Sequence, residues 1–475
     1  MKILVNKTAW FKKSSMILVC LMSAVVFVFH IHGTRVTSNK TFDESVNAQL
    51  ALQIKLGQEY NTLPIVIQAK EMGRAVPQYL SRALYIHPPL FAFLIQATVY
   101  HLLPEKSSYS FDQDLYILAS KIPNIMGSLL IILVFLIGRR YCNVPIAFLA
   151  AFLLAIDFNL WTCSQKVWIE TTLTYFFWLT LYWMLRGINN KNYFLLAGFA
   201  GGLAMLTKYP SVLIYVIFLT YSLIYQRQIF KQPFFYMLFL IPFCIFLPWG
   251  ILNFQVYGVD VFNKLIFQQR GKDNFFMILA ILSAAVTGLI VLIKQSQLFI
   301  KIKARVLQLM FVMAVGLFGY LVLQIDFRES IVRSLTWSSF PRSGWDLNFF
   351  SQDPWYFYFK QILEYSPLYL FFYVGVLHAL IKRDEFGIFL VIVSFWTLLA
   401  GILWGGFQGR YILMFVPAAT LLMARAIFFI YGEILTLDKL SRWLLLCTHS
   451  LILAYFIAKS CHHHYHLLST TIAYY

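Results

Sequence analysis

The 475 residues are 60% hydrophobic and 12% charged, with a mean hydropathy of +0.71, whereas a soluble domain carries about 25% charged residues. This balance excludes an ordinary soluble enzyme, and the net charge of +18 does not make a nucleic-acid binder. Lys and Arg are dispersed between apolar runs and not gathered on one soluble face. The six cysteines (Cys20, Cys142, Cys163, Cys244, Cys447 and Cys461) contain no CxxC pair, so no disulfide framework is expected.

From the N-terminus, Lys2, Lys7, Lys12 and Lys13 precede an apolar stretch from Met16 to Phe29 with no small-residue cleavage site after it. It reads as an uncleaved anchor whose first span, 14–32, exits outward from an inside N-terminus. Residues 33–114 depart furthest from spanning character, mixing charges with Pro and Gly. Within them Pro88–Leu103 is apolar but short of the roughly 20 residues a span needs. Counting it as a span would turn Arg139-Arg140 and the later basic loops outward, so it reads as a helix in the outer interface. Further spans are expected near 115–137, 145–160, 171–187, 193–207, 210–226, 234–252, 275–293, 306–325, 367–381, 386–403, 411–430 and 443–459.

The expectation is therefore an all-α polytopic membrane protein of about thirteen transmembrane helices, with juxtamembrane helices in the first external loop. Arg139-Arg140, Arg186 with Lys191, Arg227 with Lys231, Lys294–Arg305, Lys382-Arg383 and Lys439 with Arg442 all then fall inside, as the positive-inside rule requires. Segments 33–114, 161–170, 253–274 and 326–366 fall outside with the C-terminus and hold most of the acidic residues. No internal duplication marks the inverted repeats common in transporters.

Just after the first span, Thr41-Phe42-Asp43-Glu44-Ser45 delivers two adjacent carboxylates to the outer surface. A partly desolvated carboxylate is a better general base; the plainer alternative is a helix start capped by Thr41 or Asp43. In His87-Pro88-Pro89-Leu90 the prolines fix a helix start, and a helix N-terminus beside a hydrogen-bonding or protonated His suits a phosphate. The alternative is an ordinary Pro-initiated helix with an interfacial His.

This pair of motifs, in order and spacing, resembles the protein O-mannosyltransferase and aminoarabinose-transferase superfamily of GT-C membrane glycosyltransferases. The resemblance continues in Leu118-Ala119-Ser120-Lys121-Ile122-Pro123 leading to Gly138-Arg139-Arg140, in the run Gly198–Pro210 ending Leu206-Thr207-Lys208-Tyr209-Pro210, in Pro248-Trp249 and in Arg410-Tyr411. It covers 15–255 well and the rest loosely, so two regions are expected: a GT-C-type module over 1–255 and a variable set of C-terminal helices over 256–475. Lys121 stands where the family more often has Arg, Glu170 where Asp is usual, and no large soluble lumenal insertion is present.

The resemblance implies a polyprenyl- or dolichyl-phosphate sugar donor, an inverting transfer to the hydroxyl of a lipid, glycan or protein acceptor on the outer side, and residence in a bacterial plasma membrane or the endoplasmic reticulum. Asp43 is then the expected base, with Glu44 orienting it or the acceptor. His87, Lys121, Lys208 and Arg410 are the candidates for holding the donor phosphate. For Lys208 and Arg410 the plain alternative is snorkelling at an interface. Glu170, in Ser164–Glu170, is a candidate for the acceptor or for a divalent cation, the one cofactor contemplated; its alternative is capping the following helix. A membrane transporter or flippase is the rival reading, and a polymerase using a diphosphate-linked donor a third.

Loop 326–366 carries Trp337, Trp345, Asp346, Asp353 and Trp355-Tyr356-Phe357-Tyr358, flat faces suited to an acceptor sugar but also common at membrane interfaces. Cys461-His462-His463-His464-Tyr465-His466 lacks the fixed ligand spacing of a structural zinc site. Asn39-Lys40-Thr41 is a glycosylation sequon by pattern, and a glycan there would crowd Asp43.

Overall fold

The computed structural model describes residues 2–36, 41–71, 87–104, 113–258, most of 358–435 and part of 443–458. Among these residues the chain is all-α, with no strand. In chain order the helices are α1 (Lys2–Val36), α2 (Phe42–Lys55), α3 (Leu63–Glu71), α4 (Leu90–Thr98), α5 (Gln113–Tyr141), α6 (Val144–Ala155), α7 (Phe158–Gln165), α8 (Ile169–Asn189), α9 (Tyr193–Thr207), α10 (Leu213–Tyr225) and α11 (Pro233–Tyr257). After them come α12 (Leu370–Lys382), α13 (Glu385–Trp404) and α14 (Val416–Leu435).

Four segments are long and apolar enough to cross a membrane: Ser14–Gly33 in α1, Asp114–Tyr141 in α5, Pro233–Tyr257 and Val416–Leu435. The chain is thus a multi-pass membrane protein. Helices α6 and α7, bent by 54° at their junction, make a fifth if the pair is counted as one span. The break has a local cause: Asp157 interrupts the apolar run, and its Oδ1 accepts the Leu160 N–H at 3.1 Å, capping a new helix. The expected spans at 171–187, 193–207, 210–226, 367–381 and 386–403 are present as helices of lesser length or apolarity. Those at 275–293 and 306–325 lie outside the described residues, as does part of 443–459.

Helix α4 is nine residues long, about 14 Å at 1.5 Å per residue, less than half the roughly 30 Å of a hydrocarbon core. It cannot cross. It buries Phe91, Ala92 and Ile95 in a second apolar core with Val46, Leu50, Ile65, Leu115, Val167 and Ile169, so the first-loop helices form a cap seated on α5 and on the start of α8. Polar ties fix that seat. The hydroxyls of Ser45 and Tyr116 hydrogen-bond each other, Asn47 Nδ2 donates to the Val167 carbonyl at 2.9 Å, and Tyr100 donates to the Leu115 carbonyl at 2.9 Å.

Under the cap, α9 closes on α11 through glycines. A Cβ at Gly198 would stand 2.8 Å from the Met237 carbonyl oxygen, and one at Gly202 2.6 Å from Ile245 Cδ1. Trp178 of α8 donates to the Met414 carbonyl at 2.9 Å, tying the N-terminal module to the turn before α14. The bundle therefore brings the first loop, the α7–α8 and α9–α10 junctions and the α13–α14 connection to one end.

Candidate functional site

Helix α2 begins with a Thr41-x-x-Glu44 capping arrangement. Glu44 Oε2 accepts the Thr41 N–H at 2.8 Å and its hydroxyl at 3.1 Å, and Glu44 Oε1 accepts the Val167 N–H at 3.1 Å. Lys166 stands 3.6 Å from Glu44. The buried Glu44 is therefore engaged in holding the first loop to the α7–α8 linker, which fits the capping alternative. Asp43, one position earlier, is turned the other way and its side chain keeps 32% of its exposure.

Arg410 meets Asp43. Its Nη2 donates to Asp43 Oδ2 at 2.6 Å, across 367 residues of chain, while its Nε lies 3.7 Å from Glu170 Oε1 and has no hydrogen-bond partner. Glu170 Oε1 also accepts from Lys208 Nζ at 2.9 Å. Asp43, Arg410, Glu170 and Lys208 thus form a continuous chain of alternating charge, with both cations and Glu170 mostly buried. Removing one member of a buried pair typically costs about 3–5 kcal/mol, and here each inner member has a second neighbour of opposite sign.

Local sequence explains why these side chains arrive. Pro210 has no N–H to extend α9 and is favoured in the first turn of a new helix; α9 ends at Thr207, and Lys208 takes an extended backbone before the 3-10 turn Tyr209–Val212. Lys208 then points to Glu170 instead of snorkelling. Glu170 sits in the first turn of α8, where a carboxylate is favoured by the helix dipole. Arg410 lies on the 3-10 turn Gly409–Ile412, with its guanidinium 4.8 Å from the Trp168 ring centroid and 5.3 Å from that of Tyr411. Lys208 Nζ is 5.1 Å from the Tyr411 centroid. Trp168 is oriented by its own N–H, which donates to the Thr41 hydroxyl at 3.0 Å.

His87 enters the same electrostatic field. Burial first and the charge of Lys208 second hold its imidazole well below its usual range, with Arg410 adding to the effect and Glu170 opposing it. That environment disfavours the imidazolium, leaving the hydrogen-bonding form of the expectation as the one the site favours. Its carbonyl accepts from Tyr60 at 3.4 Å. Tyr60 packs edge-on to Trp249, and Trp249 donates to the Tyr209 hydroxyl at 3.1 Å, which puts the Pro248-Trp249 motif beside the site.

Of the residues expected from sequence, Asp43, His87, Glu170, Lys208 and Arg410 converge. Glu44 is adjacent but committed to capping, and Lys121 stands partly exposed on α5 without an ion pair to a described residue. Tyr358 is fully buried beside Gly401 and presents no ring to an acceptor. Trp337, Trp345, Asp346, Asp353, Trp355, Tyr356, the Cys461–His466 tail and Asn39 lie outside the described residues. Lys166, Trp168 and Tyr411 had no assigned role. The signal for them was the adjacency of aromatic rings to cations in Lys166-Val167-Trp168 and Arg410-Tyr411. No group of three metal-type side chains converges among the described residues, and both carboxylates facing this cluster are already paired with cations, a donor set that does not fit a divalent ion.

Residues 86–252 match the family described as dolichyl-phosphate-mannose-protein mannosyltransferase. The backbone superposes on the oligosaccharyltransferase of Archaeoglobus fulgidus in its apo form with a TM-score of 0.61, at 17% identity, over 98% of this chain and 56% of that one. The fold is that of the GT-C glycosyltransferases. The archaeal oligosaccharyltransferase AglB from Archaeoglobus fulgidus, in complex with an inhibitory peptide and a dolichol-phosphate, gives 0.58 at 16% identity over 98% and 56%. ArnT from Cupriavidus metallidurans, bound to undecaprenyl phosphate, gives 0.51 at 14% identity over 92% and 63%. The chain spans a little over half the length of the oligosaccharyltransferase structures it matches. No curated protein sequence matches it.

Proposed function

We propose that this GT-C chain transfers a sugar from a polyprenyl- or dolichyl-phosphate carrier to an acceptor hydroxyl at the membrane face bearing Asp43. The observation that carries the proposal is the alternating chain Asp43–Arg410–Glu170–Lys208, in which a carboxylate about one-third exposed leads into two mostly buried cations. Transfer needs a base for the acceptor proton and positive charge for the departing phosphate. Asp43 takes the hydroxyl proton as that oxygen attacks the anomeric carbon from the face opposite the phosphate. The carbon–oxygen bond to phosphate breaks with its electron pair left on the phosphate, and configuration inverts.

Arg410 suits the leaving phosphate because a guanidinium offers five N–H donors in a planar fork, of which Nη2 meets Asp43 and Nε faces Glu170. Lys208 adds a second charge held by Glu170. The donor class draws further support from the dolichol-phosphate and undecaprenyl phosphate present in two structural neighbours. We place the protein in a bacterial plasma membrane or, in a eukaryote, the endoplasmic reticulum, with lipid, glycan and protein hydroxyls as the acceptor classes.

Vesicles containing the chain, a membrane extract as acceptor source and a panel of labelled polyprenyl-phosphate sugars provide the test. Wild-type protein should move label to an acceptor and release polyprenyl phosphate, and Asp43→Asn should lower that rate about 10²–10⁴-fold while inserting normally. Movement of intact donor across the bilayer without transfer would instead identify a flippase.

A further inference from the structure

One buried polar pair lies outside the proposed chemistry. Asp157, 6% exposed, stands at the break between α6 and α7. Its Oδ1 caps α7, and its Oδ2 accepts the Tyr369 hydroxyl at 2.7 Å across 212 residues. Tyr369, 1% exposed, ends the 3-10 turn Pro367–Tyr369 that opens α12. Its ring stacks on Phe415, with centroids 6.2 Å apart and planes 20° apart, and Phe415 N–H donates to the Ile412 carbonyl at 2.9 Å, closing the turn that carries Arg410 and Tyr411.

The other end of α7 runs directly into Lys166-Val167-Trp168, and α7 also packs against Gly409–Ile412. Tyr369 therefore joins the two parts of the chain that meet at the Trp168–Arg410 stack. One is held through the Asp157 carboxylate at the head of α7, the other through the Phe415 ring. A buried polar pair is costly unless both partners are satisfied, and apolar side chains would fill the same space. What the hydrogen bond adds is a single direction and register.

We propose that Asp157 and Tyr369 are positioning residues of the site, fixing α7 against the Phe415 turn so that Trp168 sits under the Arg410 guanidinium. The inference rests on the reading of Arg410 as the phosphate clamp. The present separation of 4.8 Å is only about 1 Å inside the roughly 6 Å reach of a cation–π contact, and a displacement of about 1 Å at a reacting group can cost on the order of 10²-fold in rate.

Tyr369→Phe removes the hydroxyl and leaves the ring on Phe415. In vesicles of full-length protein, using the labelled polyprenyl-phosphate sugar that wild type turns over, kcat should fall about tenfold with donor KM within about twofold, alongside a modest fall in melting temperature from the unpaired Asp157 oxygen. Asp157→Asn, whose amide can accept from Leu160 and donate to the Tyr369 oxygen, should keep most of the wild-type kcat. Wild-type kcat in Tyr369→Phe, or equal damage in both variants, overturns the inference. If wild type turns over no donor, it is the transfer reading that fails. Amide exchange of residues 158–168 then decides the positioning role alone: faster exchange in Tyr369→Phe supports it and unchanged exchange rejects it.

Discussion

At the end of the bundle opposite Asp43, Arg425 of α14 donates to Asp384 Oδ2 at 2.6 Å, while Asp384 Oδ1 accepts the Gly387 N–H at 2.8 Å and so caps α13. Beside it Glu385 Oε1 takes the Tyr221 hydroxyl at 2.5 Å and Gln226 Nε2 at 2.7 Å, and Arg186 donates to Tyr182 and Tyr193 at 2.9 and 2.8 Å. Here each charged group is spent on a nearby helix end or hydroxyl. At the Asp43 end, one guanidinium is shared between two carboxylates and one carboxylate between two cations, with aromatic faces beside the cations. The inner arrangement closes helices onto each other. At the Asp43 end the ion pairs join separate segments of chain, and under the proposed function that shared charge serves the departing phosphate.

Arg410→Ala gives the largest expected effect on that contrast. Glu170 retains Lys208 and Asp43 is part-exposed, so the chain should still insert, while sugar transfer drops on the order of 10²–10³-fold, as when one transition-state donor is lost. A vesicle transfer assay showing less than a few-fold loss would return the outer cluster to the structural class.

An intermediate effect belongs to pH. The folded state binds the His87 proton more weakly than the unfolded state does, because burial and Lys208 depress its imidazole. Its contribution to stability is therefore complete above the unfolded value near 6.5 and is lost as pH falls below it, by at most about 1.4 kcal/mol per pH unit. Thermal unfolding of wild type and His87→Gln between pH 7.5 and pH 5 on the order of these values should show a shallower decline in the variant. Parallel curves would contradict the burial of a neutral imidazole.

The smallest effect belongs to the inner end. Arg425→Ala breaks a pair whose carboxylate is about one-third exposed, so the loss should be about 1 kcal/mol or less, read as a modest fall in melting temperature. Transfer at the permissive temperature should stay within about twofold, since a pair far from the reacting group acts on stability alone.

Much of this division was readable before the fold. The polytopic all-α class follows from composition, and the first-loop helices follow from the shortness of Pro88–Leu103. Asp43, His87, Glu170, Lys208 and Arg410 could be named because short motifs carry them and one choice of topology sends all five to the same face. What could not be read depends on side-chain direction. Asp43 and Glu44 are neighbours in sequence, but consecutive helix positions point about 100° apart, and only the fold shows that Glu44 turns to Val167 while Asp43 turns to Arg410. Lys121 is on a suitable helix but outside the network of ion pairs. Trp168 and Tyr411 were hidden among many interfacial aromatics, and the break at Asp157 was hidden because one carboxylate in an apolar run does not announce a helix cap.

The bond between Asp43 and Arg410 has a consequence for how the molecule is made. Asp43 emerges from the ribosome with the first helix, and Arg410 follows 367 residues later, roughly 20–75 s at typical elongation speeds. Until then a growing chain already inserted in the bilayer holds a carboxylate without its guanidinium, and under the proposed function it could not discharge a lipid-linked sugar onto water or a chance hydroxyl. Catalytic competence would arrive in one step, after translation of the segment carrying Arg410, and a prematurely terminated chain would be inert and do no harm to the carrier pool.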